Sequence, residues 1–236
     1  MAYHLCATGP WLGWHRDSHT PVRQVVAPTG GSIRGYFPSI KTGRMIGYEQ
    51  LLELDALYLL EFSPQVLDIK EQPFKFHYGL SGRMRRYTPD FALTLSDGSA
   101  LVIEVKPSRS LAKHEVQAKM EAIEEAMGRQ GYNFLVRSEV EIRREPRLGN
   151  LKQLFKYRRN AVTADLLIGL QRLVKLHKSN PVMMLGEFAD LLGSMKLAMA
   201  LLANGQVSYD SDAPLGSKLA VTINRREVSH GLENWL

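Results

Sequence analysis

The sequence predicts an α/β protein, a mixed-sheet core followed by a small helical domain. Three observations carry this. Two strand-like runs meet at Asp97-Gly98, a helical stripe follows in Val116, Met120, Ile123 and Met127, and the composition changes near Asn160. The first is a hairpin. The second is a helix leading to another strand at residues 132–136, and the third is a domain boundary.

The hairpin is the centre of the chain. Asp-Gly between apolar runs is a strong short-range turn signal. Glu104 and Lys106 share one face of the second strand and Val105 points the other way, because strand side chains alternate. Asp90 begins the first strand. A three-residue loop of Ser96, Asp97 and Gly98 sets Leu95 opposite Ser99 and Asp90 opposite Glu104. A two-residue loop of Asp97 and Gly98 sets Asp90 opposite Val105, with Glu104 on the other face unless a bulge restores the register. Two carboxylates held side by side repel, and a hard cation such as Mg²⁺, which prefers oxygen ligands, relieves the repulsion. A lysine on the same face is placed to act on water or on a phosphate. Pro-Asp, a spacer and Glu-x-Lys is the pattern of a large superfamily of metal-dependent nucleases. An edge hairpin with an ordinary Glu-Lys pair is the plainer alternative.

Composition narrows the classes. The 236 residues allow one domain, or a medium one with a small one. Hydrophobic content of 44% and charged content of 23% exclude neither half of that division and suit a globular chain. The single cysteine, Cys6, excludes an internal disulfide and a cysteine-based zinc site, and it suits a reducing compartment. No long apolar run suggests a membrane span, and the first residues lack a signal-peptide pattern. The net charge of +6 favours a polyanionic partner weakly.

In order, residues 1–35 read as an irregular arm. Its Trp11, Trp14, His15, Arg16 and Arg23 either anchor it or approach nucleic acid. Short strands are expected near residues 34–39 and 45–48. Residues 49–62 form a helix too rich in leucine to have a thin apolar stripe, so it is largely covered. Glu53 and Asp55 interrupt it and Glu61 is expected to face water. If the helix packs beside the hairpin, Glu53 joins the carboxylates. Ser63-Pro64 ends it. Strands follow at residues 66–72 and 74–78, then a turn at 79–82. Arg83, Arg85 and Arg86 precede Pro89-Asp90 and suit phosphates beside a scissile bond, or a solvated basic turn. Lys113 and His114 open the helix at 111–129, where a histidine is expected to cap or to face solvent. Residues 150–157 read as a short helix or a turn-rich bridge.

The expected domains are an arm at 1–35, a nuclease core at 36–159 and a helical domain at 160–236. In the last, helices are expected at 163–178, 184–192 and 195–203, with strands at 206–210 and 218–226. This order suggests a winged helix. Its second turn-motif helix has Lys196 as the one obvious polar contact and is too apolar to read bases. Protein binding or weak DNA contact is the better expectation. Met183, Met184, Met195 and Met199 read as packing residues, or, where exposed, as a partner groove.

Taken together, Glu53-Leu54, residues 66–72 ending in Glu71-Gln72, Thr88-Pro89-Asp90-Phe91 and Glu104-Val105-Lys106-Pro107 resemble the TnsA family, the endonuclease subunits of heteromeric Tn-seven-like transposases. The resemblance spans roughly residues 34–159 and is weaker beyond. It implies a restriction-endonuclease-like fold and cleavage at the 5′ ends of a transposon. The implied catalytic residues are Glu53, Asp90, Glu104 and Lys106. The implied metal ligands are Glu53, Asp90, Glu104 and the Val105 carbonyl (or that of Ile103), holding Mg²⁺ with Mn²⁺ as a substitute. Glu104 departs from the glutamine of the founding member and moves the chain toward the general superfamily pattern. The implied partners are duplex DNA at transposon ends, a DDE-type transposase and an ATP-dependent regulator, in the cytoplasm of a prokaryote, at the nucleoid when acting. A stand-alone restriction or repair nuclease and a non-catalytic DNA-binding or assembly module are the rival readings.

Overall fold

The computed structural model describes residues 19–22, 33–160, 162–176 and 182–223. Trp11, Trp14, His15, Arg16 and Arg23 lie outside the described residues. The chain divides into two compact units. One holds the described residues up to Leu57 with Gln65–Ile142, the other Tyr58–Pro64 with the described residues from Arg143 on.

In the first unit β1 (Gly35–Pro38) and β2 (Met45–Tyr48) form an antiparallel pair, followed by α1 (Leu51–Phe62) and β3 (Val66–Glu71). A second hairpin comprises β4 (Phe76–Leu80) and β5 (Arg83–Tyr87), closed by Ser81-Gly82, both in the left-handed region. Then come β6 (Phe91–Leu95), β7 (Ala100–Val105), α2 (Ser108–Leu111), α3 (His114–Gly128), β8 (Asn133–Arg137) and α4 (Glu139–Ile142). The main sheet has the order β3-β6-β7-β8. The first two pairings are antiparallel and β7 runs parallel to β8. A parallel pair needs a crossover, and α2 with α3 supplies it. This is the mixed α/β sheet that the sequence predicts for a restriction-endonuclease-like core.

The sequence dictates which strands are central. Phe91, Ala92 and Leu93 are consecutive and all buried, as are Val102 and Ile103, so β6 and β7 are covered on both faces. Val102 shares one core cluster with Met120, Ile123 and Met127 of α3 and with Phe76, Tyr78 and Tyr87 of the β4–β5 hairpin. The turn between β6 and β7 is the three-residue one. Leu95 N–H donates to the Ser99 carbonyl at 2.8 Å, Gly98 N–H to the Leu95 carbonyl at 3.0 Å, and Phe91 faces Ile103 in the register. Gly98 closes it at φ +83°, a conformation that costs glycine little and other residues more.

Glu71 ends β3 as a buried carboxylate. Arg44 Nη1 lies 2.7 Å from its Oε2, Gly47 N–H donates to Oε1 at 3.3 Å, and His19 Nε2 is 3.4 Å from Oε2. Burial pushes its carboxyl up, but the His19 hydrogen bond and the Arg44 charge outweigh this and hold it below the ordinary value.

The second unit contains the end of α1, α5 (Arg147–Phe155), α6 (Ala164–Leu176), β9 (Val182–Met184), α7 (Leu185–Leu192), α8 (Met195–Ala203), β10 (Val207–Tyr209) and β11 (Ala220–Ile223). Its sheet is antiparallel throughout, in the order β10-β11-β9. Gly193 caps α7 at φ +66°, and Ser194 caps α8 by accepting from Leu197 N–H at 3.3 Å. Residues 198–203 are all buried. Residues 143–159 belong with this unit, which starts earlier than the sequence boundary after residue 159. The reason is local. Asn150 of α5 donates to the carbonyls of Ser211 at 3.0 Å and Ala213 at 2.8 Å, and Leu215 N–H donates to its Oδ1 at 3.1 Å.

One polar expectation for α1 fails. Glu61 is fully buried instead of facing water, and Asp55 is buried as well. Arg158 explains Glu61. Its Nε lies 3.6 Å from Glu61 Oε1, its guanidinium stacks 4.9 Å from the Phe62 ring centroid, and its Nη1 donates to the Ala203 carbonyl at 2.7 Å.

Because the folded Glu71 carboxyl is more acidic than the unfolded one, its stabilisation is present above the unfolded value and lost as pH falls through the folded one. Glu71→Gln is expected to cost about 1–3 kcal/mol at pH 7, with the deficit shrinking below about pH 4. Urea unfolding of both proteins at the two pH values measures it.

Candidate active site

The three-residue turn decides the site. Extending the β6–β7 register by one step sets Asp90 opposite Glu104. The two carboxylates therefore share a face. Asp90 is half-buried and its Oδ2 accepts from Val105 N–H at 2.8 Å, which ties it across to the second strand. Pro89 before it cannot donate a ladder hydrogen bond, so the strand begins at this point.

Glu104 is buried and held at both oxygens. Lys106 Nζ donates to Oε1 at 2.7 Å, and the Tyr87 hydroxyl donates to Oε2 at 2.6 Å. Lys106 N–H donates to the Arg137 carbonyl at 2.9 Å, so β8 steadies the backbone beside the site. Glu53, in the first turn of α1, is also buried, and its Oε2 accepts from Glu49 N–H at 2.8 Å.

The four predicted residues act on one another through their charges. The Asp90 carboxyl is pushed well above the ordinary range, first by burial, then by the charges of Glu104 and Glu53. Burial works to lower the Lys106 ammonium, but Glu104, then Asp90 and Glu53, outweigh it and raise its pKa. The Tyr87 phenol is pushed far up by burial, then by Glu104 and Asp90. Glu53, Asp90, Glu104 and Lys106 thus form one interacting group.

Tyr87 is the residue that sequence reasoning misses. Its only signal is a lone aromatic between Arg86 and Thr88-Pro89-Asp90. The arginines beside it divide. On β5, Arg83 and Arg85 alternate onto the face of Tyr87, while Arg86 pairs with His77 on the other. All three are exposed. Of the three expected phosphate candidates, Arg83 and Arg85 therefore share one face of β5 and Arg86 lies on the other. His114 opens α3 and is exposed, as expected for a solvent-facing residue.

Among the described residues, no group of three or more His, Cys, Asp and Glu side chains is arranged so that it could hold a metal ion. Glu104 explains part of this, since Lys106 and Tyr87 take both of its oxygens. By donor type the set still fits a hard divalent cation. Glu104 and Glu53 raise the affinity of Asp90 for positive charge, and Lys106 is the cation that answers the carboxylates here.

Residues 63–139 match the family model for the TnsA-like endonuclease N-terminal domain. The chain carries a TnsA-like endonuclease domain. That match supports membership of the TnsA family and a nuclease of the Tn-seven-like transposase type. The matched segment takes in β3 through β8, and with them Asp90, Glu104 and Lys106. Glu53 precedes it, so its place beside them rests on its charge acting on Asp90 and Lys106. Comparison with curated proteins gives no match. Among the described residues no helix is long and apolar enough to cross a membrane.

Crowded carboxylates cost stability in the absence of a cation. A carboxyl whose folded pKa is raised costs the fold stability progressively as pH climbs from its unfolded value to its folded one. Asp90→Asn is expected to stabilise the metal-free protein at pH 7 by roughly 1 kcal/mol, an advantage that disappears below about pH 4. Chemical denaturation in EDTA at both pH values checks the sign.

Proposed function

We propose that the chain is the DNA-cleaving subunit of a transposase, hydrolysing one phosphodiester bond at each 5′ end of its element during cut-and-paste transposition. The observation that carries this reading is the meeting of Asp90, Glu104 and Lys106 of a TnsA-like domain with Glu53 of α1. Glu53, Asp90 and Glu104, with the Val105 carbonyl, would hold Mg²⁺, with Mn²⁺ as a substitute. When bound, such an ion lowers the pKa of a water and offsets charge on the phosphate.

The chain's own residues do the rest. Asp90 is fixed by Val105 N–H and Glu104 by Tyr87, so the carboxylates are oriented before substrate arrives. Lys106 orients the attacking water or offsets the developing phosphate charge. Water forms the new P–O bond as the bond to the 3′ oxygen breaks, leaving a 3′ hydroxyl and a 5′ phosphate. Arg83 and Arg85 hold flanking phosphates, contacts that position DNA without reading its sequence.

The second unit is read as winged-helix-like and partner-binding. Helix, strand, two helices and two strands around an antiparallel three-stranded sheet support the shape. The burial of residues 198–203 argues against α8 as a base-reading helix, since such a helix must offer a free polar face. The partners are a DDE-type transposase that processes the 3′ ends and an ATP-dependent regulator, acting at the nucleoid of a prokaryotic cytoplasm.

A strand-resolved cleavage assay on DNA carrying the element's own end tests this, in Mg²⁺, with and without the companion proteins. Partner-dependent cuts confined to the 5′ ends are expected, and Lys106→Ala should lower their rate at least ~100-fold. Cutting by the chain alone would favour a stand-alone nuclease. Binding without any cutting in a competent mixture would leave only an assembly module. In a separate measurement, Arg85→Ala should weaken DNA binding across sequences and reduce the slope of log affinity against log salt by about 1. An unchanged slope would remove Arg85 from the interface.

A further inference from the structure

Glu104 is gripped from two sides by groups of very different mobility. Lys106 sits two residues further on, just past the end of β7, on a flexible four-carbon stem, with its side chain 26% exposed. Tyr87 comes from the separate β4–β5 sheet and is 6% exposed. Its ring meets Tyr78 edge-on at 6.5 Å and Phe134 at 6.3 Å, and Lys119 Nζ lies 5.6 Å over its face. Such a ring cannot swing aside without opening the core that Phe76, Met120 and Ile123 share with it. The lysine can yield Oε1 to an arriving cation, while the tyrosine keeps Oε2.

We infer that Tyr87 is a positioning residue, which pins Glu104 Oε2 so that Oε1 is presented to a divalent cation, and so sets the affinity of the carboxylate cluster for that cation. This rests on the metal-dependent reading above. The physical basis is orientation. A carboxylate left free to rotate loses that freedom on ligation, whereas one already held by a buried donor does not. Donors behind a metal ligand are typically worth about 10–100-fold in metal affinity.

Tyr87→Phe keeps the ring and removes only the hydroxyl. The full chain and this variant are titrated with Mn²⁺ alone, without DNA, following the melting temperature and the heat of binding. The half-saturating Mn²⁺ concentration is expected to rise at least ~10-fold in the variant. A purely structural hydroxyl would lower the metal-free melting temperature and leave the half-saturation within twofold, and that result overturns the inference alone. A wild-type chain that takes up no Mn²⁺ overturns both the inference and the metal-dependent reading. If the variant does not fold, crystals of the wild-type chain soaked in Mn²⁺ decide the question. Tyr87 Oη within hydrogen-bond distance of a Glu104 oxygen, with the other oxygen toward the ion, supports the inference. A Glu104 carboxylate turned away from Tyr87 overturns it.

Discussion

The mutual repulsion of Asp90, Glu104 and Glu53 is the constraint on which the rest of the first unit depends. Each carboxylate sits in a place where the fold, not the charge, keeps it. The β6–β7 register sets Asp90 across from Glu104, and the Val105 N–H fixes the former. The first turn of α1 brings Glu53. Lys106, just past the end of β7, answers the charge. Without apolar cover on β6 and β7, the carboxylates would separate into solvent. The fully buried Phe91, Leu93 and Ile103 therefore serve the chemistry by keeping the strands in register.

Much of this was legible because its determinants are local. Asp97-Gly98 names a turn, and the demand that Asp90 face Glu104 selects the three-residue version, whose final residue needs a left-handed conformation that Gly98 supplies. The helical stripe of α3 and the strands beside it follow from spacing alone. Glu53 was legible only through its neighbours in the family pattern, since Leu52 and Leu54 say that it lies on a covered helix and not what it meets.

What escaped the sequence depends on residues far apart in it. Glu61 reads as a surface glutamate until Arg158, nearly a hundred positions later, is seen to pair with it. Tyr87 reads as one more aromatic in a basic stretch until its hydroxyl is seen on Glu104. The arginines of β5 look like one row in sequence, but strand alternation divides them. The start of the second unit is set by Asn150 gripping the loop at residues 211–215, a contact with no local signature. The short β9 strand lies between the break at Pro181 and the helix, and only its last residue, Met184, is one that spacing assigns to the helix.

The central claim is that the clustered carboxylates exist to take up a hard cation. Isothermal calorimetry of Mg²⁺ binding to the full chain, beside Glu104→Ala, tests it most directly. Saturable binding by the wild-type chain that is lost in the variant is the predicted result. Equal Mg²⁺ binding by both proteins, or none by the wild type, would contradict it.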